Sequence, residues 1–372
     1  MQALKIVPVL HTFDTLKQFI DEFGVSKDDL LVTFGFGYSD FVKAYGGDID
    51  HIIVEEYGLG EPSDEMIDKI TAVMKSLGDH KRIIAMGGGS VIDVSKILIL
   101  DVPEKSVDLF TGAVPPVKKR ELIVIPTTVG TGSEVTNVSI AELKSLHIKK
   151  GLAVDETYAD AAVLIPEVVA NLPYGVFATS AIDALIHAVE SYLSPKASEF
   201  TRLFSVKAIN LITKGFLDVV DSGPDARKAH MGDFLLASNY AGIAFGNAGC
   251  AAVHALSYSI GGAFHVPHGE ANYQFFTAVL KLYNKKSPYG DIEALKAIFA
   301  KILGVPAYKA IDELDDVLGK IIAKKPLKDY GMTEDQIDSF TASTVENQQR
   351  LLANNYVPLS DEELRGIFAE LY

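Results

Sequence analysis

The chain has 372 residues, of which 48% are hydrophobic and 22% charged, so it is long enough for two domains and too apolar to be disordered. Its formal net charge of −15 argues against nucleic acid or an anionic membrane surface as the main partner. The single cysteine, Cys250, excludes an intramolecular disulfide framework. With no apolar run of the ~20 residues that span a bilayer and no signal-peptide pattern, we expect a cytoplasmic protein.

Short apolar runs alternate with amphipathic stretches up to about residue 172. The runs predict buried strands at Leu30–Thr33, His51–Val54, Arg82–Met86, Leu122–Ile125 and Ala161–Ile165. A helical pattern between them runs from Ser63 to Leu77, and Ser63 is its expected N-cap. Strands that alternate with helices predict a parallel, doubly wound sheet.

Two polar loops follow successive predicted strands. The first, Gly87–Ser90, leads into a helix predicted from Val91 to Leu100. Glycines in such a loop let the backbone approach a pyrophosphate, and the first-turn amides of the helix then face the anion. The loop lacks the full Gly-x-Gly-x-x-Gly pattern, so by itself it also describes a tight strand-to-helix turn. The second loop, Pro126–Glu134, favours a ligand crevice, because both loops lie at the carboxyl edge of the sheet.

The pattern changes near Pro173 and Gly175, which interrupt the chain. Beyond them the periodicity is almost wholly helical, with helices predicted at Val176–Leu193, Ser198–Thr213, Asp225–Ala241 and Ala251–Ile260. The sequence therefore predicts an α/β domain over residues 1–172 and an all-α domain over residues 173–372.

Asp183 and His187 are four residues apart on a predicted helix, so both project from one face about a turn apart. A histidine alone on an apolar helix is usually a core residue, but a buried acid beside it is costly without a cation. His254, which starts a further apolar helix, and His268, in a loop between Pro267 and Gly269, can complete a shell for a first-row divalent metal.

The other histidines and the cysteine are not expected to be part of such a group of possible metal ligands. His11, His51 and His80 are expected to be structural or exposed, and Cys250 to be a small buried residue. A serine nucleophile with a histidine base is not supported, because the chain has no Gly-x-Ser-x-Gly element between a strand and a helix.

With these motifs the chain resembles the iron-containing (group III) alcohol dehydrogenase family over nearly its whole length. The resemblance is carried by Gly87–Ser90 with Asp93 and Lys96, Pro126–Thr128 with Thr131–Glu134, Thr179–Glu190, and His254–His268. It implies an N-terminal dinucleotide-binding α/β domain and a C-terminal all-α domain, the two-domain plan of dehydroquinate synthase. It also implies NAD, Fe²⁺ or Zn²⁺, a small alcohol or aldehyde as substrate, and a homodimer.

The resemblance also implies roles for individual residues. The metal ligands of the family correspond to Asp183, His187, His254 and His268. Its cofactor-binding residues correspond to Gly88, Gly89, Ser90, Asp93, Thr127, Thr128, Thr131 and Lys150. The candidate catalytic residues are Tyr258, one turn after His254, His265, which can face the substrate, and Lys150, expected near the nicotinamide.

Three positions depart from the common family pattern. Phe34 stands where many members carry an Asp that holds the adenosine ribose, and Glu61 stands where Asn is frequent. Tyr258 stands where several members have a histidine, so it changes the expected proton path. We still expect a modest preference for NAD over NADP, because no cation flanks Phe34 to attract a 2′-phosphate and the next one is Lys43.

Within the family, His11–Thr15 and His254–Tyr258 are most similar to members that act on 4-hydroxybutyrate. The expected reaction is therefore the interconversion of 4-hydroxybutyrate and succinate semialdehyde. One alternative is a general primary alcohol or diol dehydrogenase acting on butanol or 1,3-propanediol. Another is a metal-dependent lyase related to 3-dehydroquinate synthase. A third alternative, a non-catalytic nucleotide-binding protein, would not explain why the sequence has four possible metal ligands.

Overall fold

The computed structural model describes residues 3–146 and 148–372 and divides into two units. One comprises Ile6–Asn171, and the other comprises Leu172–Tyr372 together with the N-terminal segment that ends at Lys5. This segment belongs to the second unit because the Ser198 hydroxyl donates to the carbonyl of Ala3 and the Lys5 amide donates to Asn247 Oδ1. The division predicted at residues 1–172 and 173–372 differs from the observed one in this segment.

The described residues of the α/β unit form eight strands: β1 Val9–Thr12, β2 Asp29–Thr33, β3 His51–Ile53, β4 Arg82–Gly87, β5 Glu121–Pro126, β6 Val138–Leu143, β7 Ile148–Ala153 and β8 Ala161–Leu164. Six of them form a sheet in the order β1-β8-β5-β4-β2-β3, in which every pair is parallel, as predicted for the five strands that the sequence indicated. Apolar cores lie on both faces, because successive side chains of a strand alternate: Ile83 and Ala85 pack in one core, Ile84 and Met86 in the other.

Three strands were not predicted. β1 is an edge strand whose residues Val9 and Leu10 are largely exposed, so it carries no buried apolar run. β6 and β7 pair as a separate antiparallel hairpin. The inward positions of β6 include Ser139 and Ala141, and such small side chains do not produce an apolar–polar alternation in the sequence.

Six α-helices are found in the part of this unit that the structure describes: α1 Leu16–Glu22, α2 Gly35–Tyr45, α3 Asp64–Leu77, α4 Gly89–Leu98, α5 Val107–Thr111 and α6 Pro166–Val169. The predicted N-cap of α3 is confirmed, because Ser63 Oγ accepts the amide hydrogen of Met66 at 3.3 Å. α4 begins at Gly89 rather than Val91, since Gly88, with an extended backbone, is its N-cap.

Between residues 172 and 372 the second unit has ten α-helices: α7 Tyr174–Leu193, α8 Glu199–Ser222, α9 Met231–Ala248, α10 Ala252–Phe264, α11 His268–Lys286, α12 Asp291–Leu303, α13 Ala310–Ile321, α14 Gln336–Asn347, α15 Gln349–Leu352 and α16 Asp361–Leu371. α7 is central: it packs against α8, α9 and α11, and its residues 181–193 are all buried. Even so, no described helix combines the length and the apolar character that crossing a membrane requires.

The structure corrects two local predictions in this unit. The stretch predicted as a helix from Asp225 to Ala241 is a 3₁₀ segment, Pro224–His230, followed by α9. His268, expected in a loop, is the first residue of α11, with Pro267 as N-cap. The backbone of Pro267 is extended, with φ −53° and ψ 138°, and helical geometry begins at the next residue, so the expected loop is a helix start.

Candidate active site

Four side chains from three helices of the helical unit converge: Asp183 and His187 from α7, His254 from α10, and His268 from α11. Asp183 Oδ1 lies 3.8 Å from His254 Nε2 and 4.0 Å from His268 Nε2. Asp183 Oδ2 lies 4.0 Å from His187 Nδ1. Donors bound at ~2.1 Å around one tetrahedral ion are separated by about 3.4 Å, so the observed spacing is close to what a shared ion imposes.

The burial of this cluster tests whether a metal ion fits. Asp183, His187 and His254 are each at most 4% exposed. His254 Nε2 is buried and, among the described residues, has no hydrogen-bond partner. A buried lone pair without a partner is costly, and a cation at this point would satisfy it together with the carboxylate. The residues therefore fit a divalent metal ion.

The charge state of Asp183 agrees with a cation site. Burial alone raises the pKa of a carboxyl group, because it penalises the charged form. At Asp183 the positive charges available on His187, His268 and His254 outweigh burial and hold the pKa below its ordinary value. The carboxylate thus stays ionised and can act as the single anionic donor of the set.

Helix packing brings His268 to the cluster. A Cβ on Gly269 would lie 2.3 Å from the carbonyl oxygen of Thr179, so only glycine lets the start of α11 approach α7 this closely. On the other side, the rings of Phe245, His187 and His254 form a stack, with His187 4.2 Å from Phe245 and 4.7 Å from His254 between centroids. The cluster is therefore positioned by side-chain packing as well as by helix periodicity.

Two side chains that the sequence analysis did not single out touch these residues. Asn272 Nδ2 donates to Asp183 Oδ1 at 2.8 Å and lies 3.1 Å from His268 Nε2. Glu190 contacts His254 Nδ1 at 2.6 Å. Both were detectable in principle, since Asn272 is four residues after His268 and Glu190 is a second acid on the apolar helix α7.

The candidate catalytic residues of α10 lie in different environments. Tyr258 is half-buried, and its ring centroid lies 6.2 Å from that of His268. His265 is the exposed C-cap of α10 and has a φ of 54°, the only positive φ of a non-glycine residue in the described ranges. The geometry brings Tyr258 to the cluster of Asp183 and the three histidines and leaves His265 at the exposed end of the helix.

In the α/β unit the two polar loops touch each other at the carboxyl ends of β4 and β5. The amide of Thr127 donates to the carbonyl of Gly87 at 3.0 Å. A Cβ on Gly88 would lie 3.1 Å from Thr128 Cγ2, and one on Gly89 would lie 3.0 Å from a side-chain carbon of Thr131. Glycine therefore allows the first loop to pack against the second.

This pair of loops offers donors for an anion. Gly88 provides no side-chain hydrogen bond to the first turn of α4, so the amides at this helix start can face a ligand. Thr128 Oγ1 is buried and has no hydrogen-bond partner among the described residues. The Ser90 hydroxyl, by contrast, donates to the carbonyl of Gly60 at 2.8 Å, which supports the loop.

Asp93 and Lys96, both on α4, form hydrogen bonds that stabilise the second loop. Asp93 accepts hydrogen bonds from the Ser133 hydroxyl at 2.8 Å and from the Ile140 amide at 3.0 Å. Lys96 Nζ donates to Ser133 Oγ and to the carbonyl of Val138, both at 2.7 Å. Burial raises the pKa of Asp93 and lowers the pKa of Lys96 to about 8. Asp93 thus braces the loop through contacts within the protein.

Lys150, predicted to lie near the nicotinamide, is on strand β7 of the hairpin, opposite Ala141. It is exposed. Glu61, which stands where Asn is frequent in the family, forms an ion pair with Lys149 at 2.7 Å.

Phe34 caps α2, and its ring lies 6.1 Å from that of the exposed Phe36. Next to Phe34, the amide of Gly35 donates to Glu55 Oε1 at 2.8 Å. Glu55 Oε2 is buried and has no hydrogen-bond partner in the described ranges. The sequence analysis missed Glu55, although it follows the predicted strand that ends at Val54. The structure thus provides a carboxylate beside the position at which many family members carry an Asp.

A glycine-rich loop on a parallel sheet and a carboxylate–imidazole cluster in a helical unit are the parts of an enzyme that uses a dinucleotide and a metal ion. Residues 5–166 match the family described as iron-containing alcohol dehydrogenase, and residues 177–372 match the C-terminal part of the Fe-containing alcohol dehydrogenase family. The chain belongs to the iron-containing alcohol dehydrogenase family, which confirms the resemblance. It also favours an oxidoreductase over the lyase alternative.

Two relatives are similar over most of the chain. The 4-hydroxybutyrate dehydrogenase of Clostridium kluyveri is 52% identical over 374 residues, which is the full length of both chains. The long-chain-alcohol dehydrogenase 1 of Geobacillus thermodenitrificans is 36% identical and covers 83% of this chain and 79% of its own.

Among solved structures, the sulfoacetaldehyde reductase of Bifidobacterium kashiwanohense in complex with NAD⁺ has a TM-score of 0.85 at 23% identity, over 100% of this chain and 98% of that one. This similarity confirms the predicted fold class.

Proposed function

We propose that the protein interconverts 4-hydroxybutyrate and succinate semialdehyde with NAD as the hydride carrier. The observation that carries this proposal is the 52% identity over full length to a 4-hydroxybutyrate dehydrogenase, in a chain that also holds the four convergent metal donors. The 36% identity to a long-chain-alcohol dehydrogenase makes a general alcohol dehydrogenase the second candidate.

Asp183, His187, His254 and His268 would hold the metal ion, iron or zinc, which both suit this donor set. When bound, the ion supplies a Lewis acid for the oxygen of the alcohol or aldehyde, and NAD supplies the hydride acceptor. Tyr258 would use its hydroxyl to orient the substrate, through either the reacting oxygen or the far carboxylate, since its ring lies beside His268.

The two loops of the α/β unit would hold the cofactor. The amides at the start of α4, next to Gly88 and Gly89, suit the pyrophosphate, and Thr128 Oγ1 is an available polar atom beside them. Thr127 and Thr131 shape the second loop. The direct cofactor contacts expected for Ser90, Asp93 and Lys150 remain predictions.

Glu55 supports NAD rather than NADP. β2 and β3 are parallel neighbours with Thr33 opposite Ile53, so the carboxylate of Glu55 lies at the carboxyl edge of the sheet beside Phe34. Its Oε2 can accept a hydrogen bond from a ribose hydroxyl, and its charge would repel a 2′-phosphate. We expect kcat/KM to be higher with NADH than with NADPH, and Glu55→Gln to reduce that ratio about tenfold. A ratio that Glu55→Gln leaves unchanged would remove Glu55 from this role.

The substrate is tested by following NADH formation with 4-hydroxybutyrate, 1-butanol and 1,3-propanediol at matched concentrations. A pocket that binds the far carboxylate rejects an analogue with a methyl group there, because its donors are left unpaired. We therefore expect kcat/KM to be at least about 100-fold higher for 4-hydroxybutyrate than for 1-butanol. Equal values would replace this proposal by a general alcohol dehydrogenase.

We also infer a homodimer in the cytoplasm, from the family resemblance and from the single, buried cysteine. Light scattering on the purified full chain measures the mass of the particle in solution. A monomer or a larger oligomer would contradict this inference and leave the proposed reaction unaffected.

A further inference from the structure

Glu190 lies on α7, one helical turn after His187, and is 3% exposed. Three N–H groups converge on its carboxylate. Oε1 accepts from the amide of Val253 at 2.7 Å, and Oε2 accepts from the amide of Ala251 at 3.0 Å. Oε2 also lies 2.6 Å from His254 Nδ1. One buried side chain thus contacts both the start of α10 and the imidazole that this helix carries.

The contact with His254 decides which ring nitrogen carries the hydrogen. Both oxygens of Glu190 already accept backbone amides, so the carboxylate is the acceptor and Nδ1 the donor in this pair. In the neutral ring, the form that binds a metal, Nε2 then keeps its lone pair, and it is Nε2 that lies 3.8 Å from Asp183 Oδ1. A metal ion binds to an imidazole nitrogen only through such a lone pair. We propose that Glu190 is a positioning residue that prepares His254 to bind the metal through Nε2.

The two backbone contacts extend this role from the ring to the helix. Ala251, the N-cap of α10, has no side-chain acceptor for the free amides of the first turn. Glu190 supplies that acceptor from a different helix and so fixes where α10 begins. His254 is in the first turn of α10, so its backbone position and its ring orientation depend on the same carboxylate.

A second interpretation of the same residues is a separate metal site. Candidate donor atoms of Glu190, Cys250 and His254 also lie within 4.8 Å of one another. However, a cation there would have to replace three N–H donors that already occupy the carboxylate of Glu190. The contacts therefore favour a positioning role, and the two interpretations differ in the number of ions bound.

The proposal rests on the proposed function, in that Asp183, His187, His254 and His268 are taken as the metal ligands. Glu190→Gln is the sharpest variant, because an amide cannot accept all three hydrogen bonds. If its NH₂ group faces His254, it favours a hydrogen on Nε2 and blocks the lone pair. If it faces Val253, it meets a second N–H group and the start of α10 loses a bond. Glu190→Ala removes all three contacts.

The experiment measures the zinc affinity of the full-length protein by competition with a chelator. We expect the affinity to fall about 10- to 100-fold in Glu190→Gln and further in Glu190→Ala. Cys250→Ala is the matched control, since it alters the other side chain grouped with Glu190 and His254, and its affinity is expected to stay within about threefold of wild type. Circular dichroism checks that the variants fold.

A second readout separates positioning from a purely structural role. In metal-free protein labelled with ¹⁵N-histidine, NMR reports which nitrogen of His254 is protonated. We expect Nδ1–H in the wild type and a shift towards Nε2–H in Glu190→Gln. Affinity unchanged within about threefold, or Nδ1–H retained in every variant, would overturn the proposal. Loss of one of two bound ions in Cys250→Ala would instead establish the separate site.

His268→Ala in the same zinc titration tests the assignment of the four metal ligands separately from the role of Glu190. If it binds zinc as well as the wild type, the ligand assignment itself fails. If it loses zinc while Glu190→Gln does not, the ligand assignment stands and only the role of Glu190 is overturned.

Discussion

The two units of this protein present functional groups in opposite ways. In the α/β unit the candidate cofactor site is built mainly from backbone amides at Gly88 and Gly89, where parallel strands end and a helix begins. In the helical unit the candidate metal site is built from side chains that three helices bring together. Parallel strand topology alone places the first kind of group, whereas the second kind needs several side chains in defined orientations.

The supporting contacts differ accordingly. In the α/β unit, Lys96 and Asp93 are bonded to the loop around Ser133 and need not touch a ligand. In the helical unit, Asn272 and Glu190 are bonded directly to the candidate ligands. A site built from backbone amides is therefore best tested by a substitution that adds an atom, such as glycine to alanine. A site built from side chains is best tested by a substitution that removes a side-chain group.

The largest effect is expected from His268→Ala, which removes one of the four candidate metal ligands from the helical unit. His268 is the most exposed of the four, with 35% of its side chain accessible, so the fold is expected to survive. Lewis-acid stabilisation is worth several kcal/mol, so turnover is expected to fall at least about 1,000-fold together with the metal content. Metal analysis and steady-state kinetics measure both.

The control is His230→Ala, because His230 lies outside the cluster and pairs with Asp218 at 2.7 Å. It is expected to keep its metal and its activity. Full metal content in His268→Ala would break the comparison, since the helical unit would then bind its ion without one of the four side chains.

The next effect concerns the hydroxyl of Tyr258. Tyr258→Phe keeps the ring beside His268 and removes only the oxygen. A lost hydrogen bond to a charged group is worth ~1.5–3 kcal/mol, so kcat/KM for 4-hydroxybutyrate is expected to fall by at least about tenfold. Metal content is expected to stay the same. A change below about twofold would mean that Tyr258 serves only to pack the core.

In the α/β unit, Gly89→Ala adds one carbon at the loop contact, 3.0 Å from a side-chain carbon of Thr131. Crowding of this kind costs ~1–3 kcal/mol, so KM for NAD is expected to rise about tenfold while zinc affinity stays unchanged. Gly319→Ala is the matched control, because a Cβ on this helical glycine meets no atom within 4 Å. Equal KM values for the two variants would show that the loop does not bind the cofactor.

The smallest effect is the pH dependence contributed by Lys96. Burial lowers its pKa to about 8 in the folded protein, while in the unfolded chain it stays near the ordinary value. Between these two values the unfolded chain binds the additional proton, so rising pH favours the folded state by up to about 1.4 kcal/mol per pH unit. Relative to Lys96→Met, the melting temperature of the wild type is therefore expected to rise from pH 7.5 towards 9.5. Melting temperatures that change with pH in the same way in the two proteins would contradict a lowered pKa for Lys96.

The sequence by itself determined the features that depend on local periodicity and residue type. The alternation of strands and helices predicted the parallel sheet, and Ser63 marked the start of α3. The i,i+4 spacing of Asp183 and His187 predicted one face of α7, because helix geometry fixes which residues are neighbours over one turn. The family motifs then indicated His254 and His268 as the other two members of the cluster.

Only the tertiary structure decided how distant residues meet. Glu190 reaches the amide of Ala251 across 61 residues of chain, and Asn272 reaches Asp183 across 89. Gly35 meets Glu55 across 20 residues, because β2 and β3 are neighbours in the sheet. No local sequence pattern indicates these contacts, and none indicates which ring nitrogen of His254 is available to a metal ion. A hydrogen bond depends on distance and angle in space, and those are fixed only when the helices and strands pack against one another.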